Sequence, residues 1–170
     1  MATLTAALKV VASTTYTGAS DLSTLQDVLS QSFSNALTSG TGANQGDLLF
    51  HDQRTLTASS TEDLDLTATI DDPLGNALSF VKLKAIIVIA ASGNTNNVVV
   101  GGATAALAAG EMFSDTTDEV VVHPGGMFAL TAPDADGIAV TATTADLIKV
   151  ANSAGGTSVT YDVILIGTSA

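Results

Sequence analysis

The chain has 170 residues, of which 46% are hydrophobic and only 13% are charged, and its formal net charge is −12. This length allows one domain with a core, and the acidic balance argues against nucleic acid as a partner, because binding it requires basic residues. No apolar run reaches the roughly 18–20 residues that span a bilayer, so we predict no membrane contact. Because charged residues are about half as frequent as usual, we expect self-association to cover the extra apolar surface.

Residues 1–46 are predicted to form an N-terminal arm or short helix, which packs on the body or on a neighbouring subunit because it is too short for its own core. Residues 1–19 alternate weakly and predict a strand or extended arm. Over residues 20–37 the apolar positions fall at helical spacings after a potential cap, and we favour an amphipathic helix. Alternation also fits part of this segment, with every second residue of 29–37 on one face. The glycine-rich residues 39–46 predict a loop.

Residues 47–170 are predicted to form the body. Its apolar or alternating runs are separated by turns rich in Gly, Pro and Asn at intervals of roughly 8–14 residues, a spacing typical of sandwiches and jelly rolls. The predicted strands cover residues 48–56, 63–70, 78–90, 97–101, 119–123, 127–131, 138–144, 147–151 and 159–167. The predicted fold class is therefore mainly β: an antiparallel β-sandwich or jelly-roll-like barrel with an N-terminal arm or short helix.

Residues suited to catalysis or metal binding are sparse. His51 and His123 stand beside no nucleophile elbow or other mechanistic motif, so we predict that the protein is not an enzyme. Two distant histidines and no cysteine do not supply a zinc site. The acidic turns at residues 71–72 and 134–137 offer oxygen ligands of the kind that Ca²⁺ binds, but neither completes an EF-hand loop. We therefore predict no metal and no cofactor. The aromatic content of 4% disfavours a glycan-binding module.

The candidate interface residues are apolar side chains with too little local core to bury them, together with the only arginine. They are Leu25, Phe33, Arg54, Ile86, Ile87, Val88 and Ile89. The strand over residues 78–90 becomes apolar on both faces in its second half, which predicts that a subunit contact covers one of them. For Arg54 we favour an ion pair within the chain over the role of an interface anchor, since Asp52 falls on the same face of the predicted strand.

Five stretches carry a resemblance to a known group of proteins. They are GTGANQGDLLFHDQRTL (40–56), EDLDLTATIDDPLGNALSFVKLKAIIV (62–88), GNTNNVVVGG (93–102), VVVHPGGMFAL (120–130) and VANSAGGTSVTYDVILIG (150–167). In this order of turns and strands the chain resembles small virion structural proteins of tailed bacteriophages, of the capsid decoration or cement type.

The resemblance implies a β-rich protein that assembles in many copies on the outer surface of the phage capsid. Proteins of this kind are commonly trimers that clamp neighbouring subunits of the major capsid protein. The resemblance implies no catalytic residue. Proteins with similar patterns belong instead to the neck or tail of the particle, and this remains the alternative.

Overall fold

The computed structural model describes residues 3–105, 107 and 112–170. Every regular element in this part of the chain is a β-strand, which confirms the mainly β fold class. The strands are β1 (Ala6–Ala19), β2 (Thr24–Ser39), β3 (Gln45–Gly46), β4 (Leu48–Leu56), β5 (Thr61–Asp65), β6 (Lys82–Ala90), β7 (Val98–Gly101), β8 (Glu119–Val122), β9 (Met127–Thr131), β10 (Ile138–Ala139), β11 (Leu147–Asn152) and β12 (Val159–Thr168). No helix in the described ranges is long and apolar enough to cross a membrane.

Strands β4 to β12 form a sandwich of two antiparallel sheets. The front sheet has the order β4, β12 and β6, and β9 and β10 share the remaining edge of β6. The back sheet has the order β5, β11, β7 and β8. The pairs β4–β12, β5–β11, β6–β9 and β7–β8 are nested within one another along the chain. This nesting, with successive nested pairs alternating between the two sheets, gives the sandwich the strand order of a jelly roll.

The core lies between the two sheets and is built from alternate residues of each strand. On β12 these residues are Val159, Tyr161, Val163 and Leu165, all of them fully buried. The intervening residues of the same strand face outward and are less buried. Because the side-chain period of a strand is two, this alternation places one row against the back sheet and leaves the other on the outer face of the front sheet.

The N-terminal segment is a long β-hairpin, so the helix favoured over residues 20–37 is wrong. Strands β1 and β2 pair antiparallel through 14 consecutive residue pairs, from Ala6 opposite Leu37 to Ala19 opposite Thr24. The apolar residues of this segment satisfied both periodicities, but its many serines lower helix propensity. Pairing with β1 makes this segment a strand, and the spacing of residues within the segment does not reveal that partner.

Only the base of this hairpin packs on the body. Leu37 forms a small apolar cluster with Ala85 of β6 and Ile166 of β12, and Leu4 and Leu8 lie against it. Ala85 and Ile166 belong to the outward-facing row of the front sheet. The hairpin base therefore covers one end of the outer face of the front sheet.

Some strands are shorter than the sequence predicts. The strand expected over residues 63–70 ends at Asp65, whose Oδ1 accepts hydrogen bonds from the Thr67 amide at 2.8 Å and the Thr67 hydroxyl at 2.9 Å. Such local bonds replace the next step of the ladder. The strands expected over 78–90 and 138–144 shorten to Lys82–Ala90 and Ile138–Ala139.

A buried lysine holds the connection between β9 and β10. Lys84 has no exposed surface, and its Nζ donates hydrogen bonds to the carbonyl oxygens of Asp134 and, at 3.2 Å, Ala135. Burial lowers the pKa of Lys84, and the nearby Asp134 charge opposes this shift. The lysine thus satisfies turn carbonyls inside the fold and is not available to a ligand.

Candidate interaction surfaces

The hairpin projects from the body as an arm, defined here as residues 9–34, from Lys9 to its register partner Ser34. Every residue of the arm is exposed except Gly18, which is half-buried. Eleven residues of β1 at about 3.4 Å each make the arm about 37 Å long. An isolated two-stranded hairpin is marginally stable in water, so an arm of this length is expected to be completed by a partner.

The arm has one apolar face and one polar face. Alternation and register place five large side chains on the apolar face, and each is 45–79% exposed. They are Val10, Tyr16, Leu25, Leu29 and Phe33. The opposite face is mostly serine and threonine, with Val11 and Val28 as its large apolar members. The apolar face continues the row of Leu8 and Leu37, which already packs on the body.

Among the described residues, none of the body faces the exposed part of this arm surface. Two shallow hollows of about 330 and 280 Å³ lie along it, and both are lined by arm residues alone. The first lies at Val10 and Phe33, and the second at Tyr16 and Leu25. The arm is also nearly neutral, because Lys9, Asp21 and Asp27 are its only charged residues and sum to −1 of the total of −12. Asp27 lies on the apolar face, opposite Tyr16, so docking of this face has to leave its carboxylate in water or beside a hydrogen-bond donor.

A second apolar surface remains open on the outer face of the front sheet. Beyond the part that the hairpin base covers, the outward row includes Ile87 and Ile89 of β6 and Ile164 of β12, all half-buried. Met127 of β9 lies opposite Ile89 and is 54% exposed. We call these four residues, with the exposed Ala129 opposite Ile87, the acceptor strip.

A groove of about 550 Å³ runs beside the acceptor strip. Ile89 and Ile164 lie in it together with His51, Gln53 and Asp162, and Pro73 of the 71–76 turn also lines it. The groove contains apolar surface flanked by polar side chains. This composition resembles the centre and rim of a protein interface more than a catalytic pocket.

The predicted interface residues fall into three groups. Leu25 and Phe33 are exposed on the apolar face of the arm, and Ile87 and Ile89 lie on the acceptor strip. Ile86 and Val88 have no exposed surface, because they point between the two sheets. Their prediction as interface residues is therefore corrected: the back sheet, and not a second subunit, covers that face of β6.

Arg54 has its partners within the chain, as the favoured ion pair predicts, and its assignment as an interface residue is corrected. Its Nη1 donates to Glu62 Oε2 at 2.6 Å, and its Nε lies 3.2 Å from Asp52 Oδ2. The guanidinium lies over the ring of Phe50, 5.7 Å from the centroid. Burial alone lowers the pKa of Arg54, but the hydrogen bond and charge of Glu62 outweigh it and leave the pKa raised. Arg54 thus joins β4 of one sheet to β5 of the other.

Tyr161 is the third member of this cluster. Its hydroxyl donates a hydrogen bond to Glu62 Oε1 at 2.6 Å, while its ring is fully buried in the core. Each carboxylate oxygen of Glu62 therefore has its own donor, one from β4 and one from β12. The cluster is a polar network at the sandwich edge in which both oxygens of Glu62 are paired, while Arg54 Nε has only the ion-pair contact with Asp52 and no hydrogen bond.

Because the Tyr161 hydroxyl is buried, we expect the protein to lose stability at alkaline pH. Burial, and then the hydrogen bond to Glu62, raise the pKa of Tyr161 above its ordinary value. An unfolded tyrosine ionises near pH 10, so above that pH the unfolded chain has lost a proton that the folded chain keeps. The stability that the folded state gains from keeping the Tyr161 hydroxyl protonated is fully present below about pH 10. It is lost as the pH rises, by up to about 1.4 kcal/mol per pH unit.

Urea unfolding between about pH 10.5 and 11.5 measures this slope, and comparison with a variant removes the contribution of the lysines, which titrate over the same range. Tyr161→Phe is expected to unfold with a shallower pH dependence, because the variant has no phenol at this position to ionise. An identical slope in wild type and variant would contradict the assignment.

Metal chemistry has no cluster to support it in the described ranges, where no group of three His, Asp or Glu side chains converges. Asp134 Oδ1 instead accepts the Gly137 amide at 2.7 Å, and Asp72 accepts the amides of Leu74 and Asn76 at 2.8 Å. Hydrogen bonds to these backbone and side-chain groups lower the pKa of Asp72, with the Asn76 side chain contributing most. These aspartates close turns.

Sequence reasoning missed several members of both apolar surfaces. Leu29 was not predicted as an interface residue because its segment was interpreted as a helix. Val10 and Tyr16 were not predicted because residues 1–19 alternate only weakly. Ile164 and Met127 were missed because only the spatial neighbours of a strand show which outward apolar residues form a continuous row. The alternation in residues 4–12 and 29–37 was the available signal for the arm.

Comparisons with protein-family models, with curated proteins and with solved structures find no match to this chain.

Proposed function

We propose that the protein is a structural component of a tailed-phage virion, and specifically a decoration (cement) protein on the outer surface of the capsid. It assembles in many copies as a homo-oligomer, for which the resemblance implies a trimer, and clamps neighbouring subunits of the major capsid protein. The observation that carries the proposal is the 14-pair hairpin, whose apolar face beyond the base is covered by nothing in the described chain. A protein built to be completed by partners has this property.

The distribution of charge and side chains supports a binding role. The arm has a net charge of −1, so the remaining residues carry −11. The acidic body stays soluble and resists unspecific association, while the nearly neutral arm is free to bury apolar surface. In the polar cluster, Glu62 pairs with both Arg54 and Tyr161 and so links the two sheets.

The jelly-roll body suits a particle component that has to bear load. Its nested strand pairs connect distant parts of the chain, so separating the two ends of a sheet requires many hydrogen bonds to break together. Fold alone does not determine function, and jelly rolls occur in lectins and other proteins as well as in capsids. The proposal therefore depends on the arm and on the resemblance of the sequence to virion proteins.

The deciding experiment is the copy number of the chain in purified virions of the phage that encodes it. Quantitative gel densitometry against the major capsid protein is expected to give a ratio near one to one, or one trimer per local threefold position. A ratio of a few per cent would assign the protein to the neck or tail instead. Absence of the chain from purified particles would overturn the structural proposal.

A further inference from the structure

The apolar face of the arm and the acceptor strip are both open surfaces, and each continues one side of a contact that already exists. At the hairpin base, Leu8 and Leu37 pack near Ala85 and Ile166 on the outer face of the front sheet. Past this contact, the same face of the hairpin continues into the arm, and the same face of the sheet continues into the acceptor strip. The arm and the acceptor strip are therefore apolar in the same way as the hairpin base and the part of the sheet on which that base packs.

The arm cannot cover the acceptor strip of its own chain. The ladder of β1 and β2 runs through 14 pairs with no bulge, and its base is held on the sheet at Ile166. The hollows along the apolar face of the arm contain no body residue. A hairpin bends sharply at bulges, and the ladder of the arm has none; its glycine, Gly18, lies near the tip, opposite Leu25. The distal arm and the acceptor strip thus need separate molecules to meet.

We propose that the arm of one copy docks with its apolar face on the acceptor strip of a second copy. Each copy then donates an arm and accepts an arm, and both open surfaces are covered by one kind of contact. Such a contact is heterologous, so it repeats from copy to copy until the oligomer closes. The inference deepens the proposed function, on which it rests for its biological purpose, by naming the partner of the arm.

Pairing between two arms explains the observations less completely. It would cover the apolar face of each arm but would leave Met127, Ala129 and the isoleucines of the acceptor strip open. At its base, this face of the hairpin packs on the front sheet, and pairing between two arms would not repeat that contact.

Matched variants on the arm test the donor side. Val10 and Val11 are adjacent, 52% and 55% exposed, and lie on opposite faces of the hairpin. Val10→Asp and Phe33→Asp are expected to weaken self-association by at least about 100-fold, because docking would bury an unpaired carboxylate. Val11→Asp is expected to associate as wild type does, because its face stays in water.

Matched variants on the sheets test the acceptor side. Met127→Asp is expected to weaken self-association as strongly as Phe33→Asp does, and Ala129→Asp serves as a second variant at an exposed small residue. Val121 is 49% exposed on β8 and faces outward from the back sheet, so Val121→Asp is the control. Thermal unfolding of each variant checks that the fold is kept.

Light scattering coupled to size exclusion of the purified full chain, over a concentration series, is the measurement. The decisive sample mixes Phe33→Asp with Met127→Asp. Each variant alone is expected to be monomeric, but the mixture is expected to form one-to-one dimers, since one variant keeps an intact arm and the other an intact strip. A monomeric wild type, loss of association in Val11→Asp, persistent oligomers of both Met127→Asp and Ala129→Asp, or a mixture without dimers would each overturn the inference. The copy number in virions is measured separately, so failure here leaves the proposed function to be judged by its own test.

Discussion

Gly167→Ala is expected to destabilise the protein by about 3 kcal/mol, the upper part of the range for overpacking a core. Gly167 lies in β12 where the register with β6 shifts between Ile166 and Gly167. A Cβ at this position would overlap the carbonyl oxygen of Lys82 and approach Cδ1 of Phe80 to 2.5 Å. The carbonyl belongs to the neighbouring strand, so relief requires the backbone of the front sheet to move.

Gly93→Ala is the control for this substitution. Gly93 lies in the turn between β6 and β7, and a Cβ added there would have no atom within 4 Å. The φ angle of Gly93 is not positive, so an alanine at this position is expected to be neutral or slightly stabilising. Urea unfolding of both variants measures the difference, and equal midpoints would contradict the close approach at Gly167.

Glu62→Gln is expected to lower the free energy of unfolding by about 3 kcal/mol. This is the lower end of the range for breaking a buried ion pair, chosen because Arg54 and Glu62 are partly exposed. Glu62 is the only acceptor that joins Arg54 to Tyr161. A glutamine has the same shape, but its NH₂ group must face either the guanidinium or the phenol hydroxyl, and both are donors. One donor therefore loses its partner, and the charge that opposes Arg54 disappears.

Glu119→Gln on β8 is the matched control, because Glu119 is exposed and the same chemical change there is expected to alter stability by less than about 0.5 kcal/mol. Chemical denaturation of Glu62→Gln, Tyr161→Phe and the double variant completes a cycle. The two changes are expected to be non-additive because both remove the same hydrogen bond. Additive effects would mean that the contact between Glu62 and Tyr161 does not contribute to stability.

The arm shows where local pattern reasoning reaches its limit. Residues 20–37 have apolar side chains that fit a helix and, in part, a strand, and propensity alone did not separate the two. Strand β1 resolves the ambiguity, because it lies opposite β2 at every position from Thr24 to Leu37. Once paired, the alternation becomes a two-faced ribbon, and the apolar face follows from register.

The apolar run of β6 shows the same limit in the core. Its sequence indicated that both faces of the strand are covered, and this holds for Ile86 and Val88 as well as for Ala85. The coverings differ, however: the back sheet covers the inner row, and the hairpin base covers Ala85. Only Ile87 and Ile89 remain partly open, so the candidate interface on this strand is smaller than the sequence suggested.

The sequence by itself determined the mainly β class, the division into short strands and the shortage of catalytic or metal-binding residues, because alternation, turn residues and composition are local properties. Only the tertiary structure decided the nested jelly-roll order, the pairing that makes the arm, and the row that joins Ile164 to Ile87 and Met127. It also decided that Arg54 pairs within the chain. These features depend on contacts between residues distant in sequence, and the energy of such contacts comes from side chains that a local pattern does not bring together.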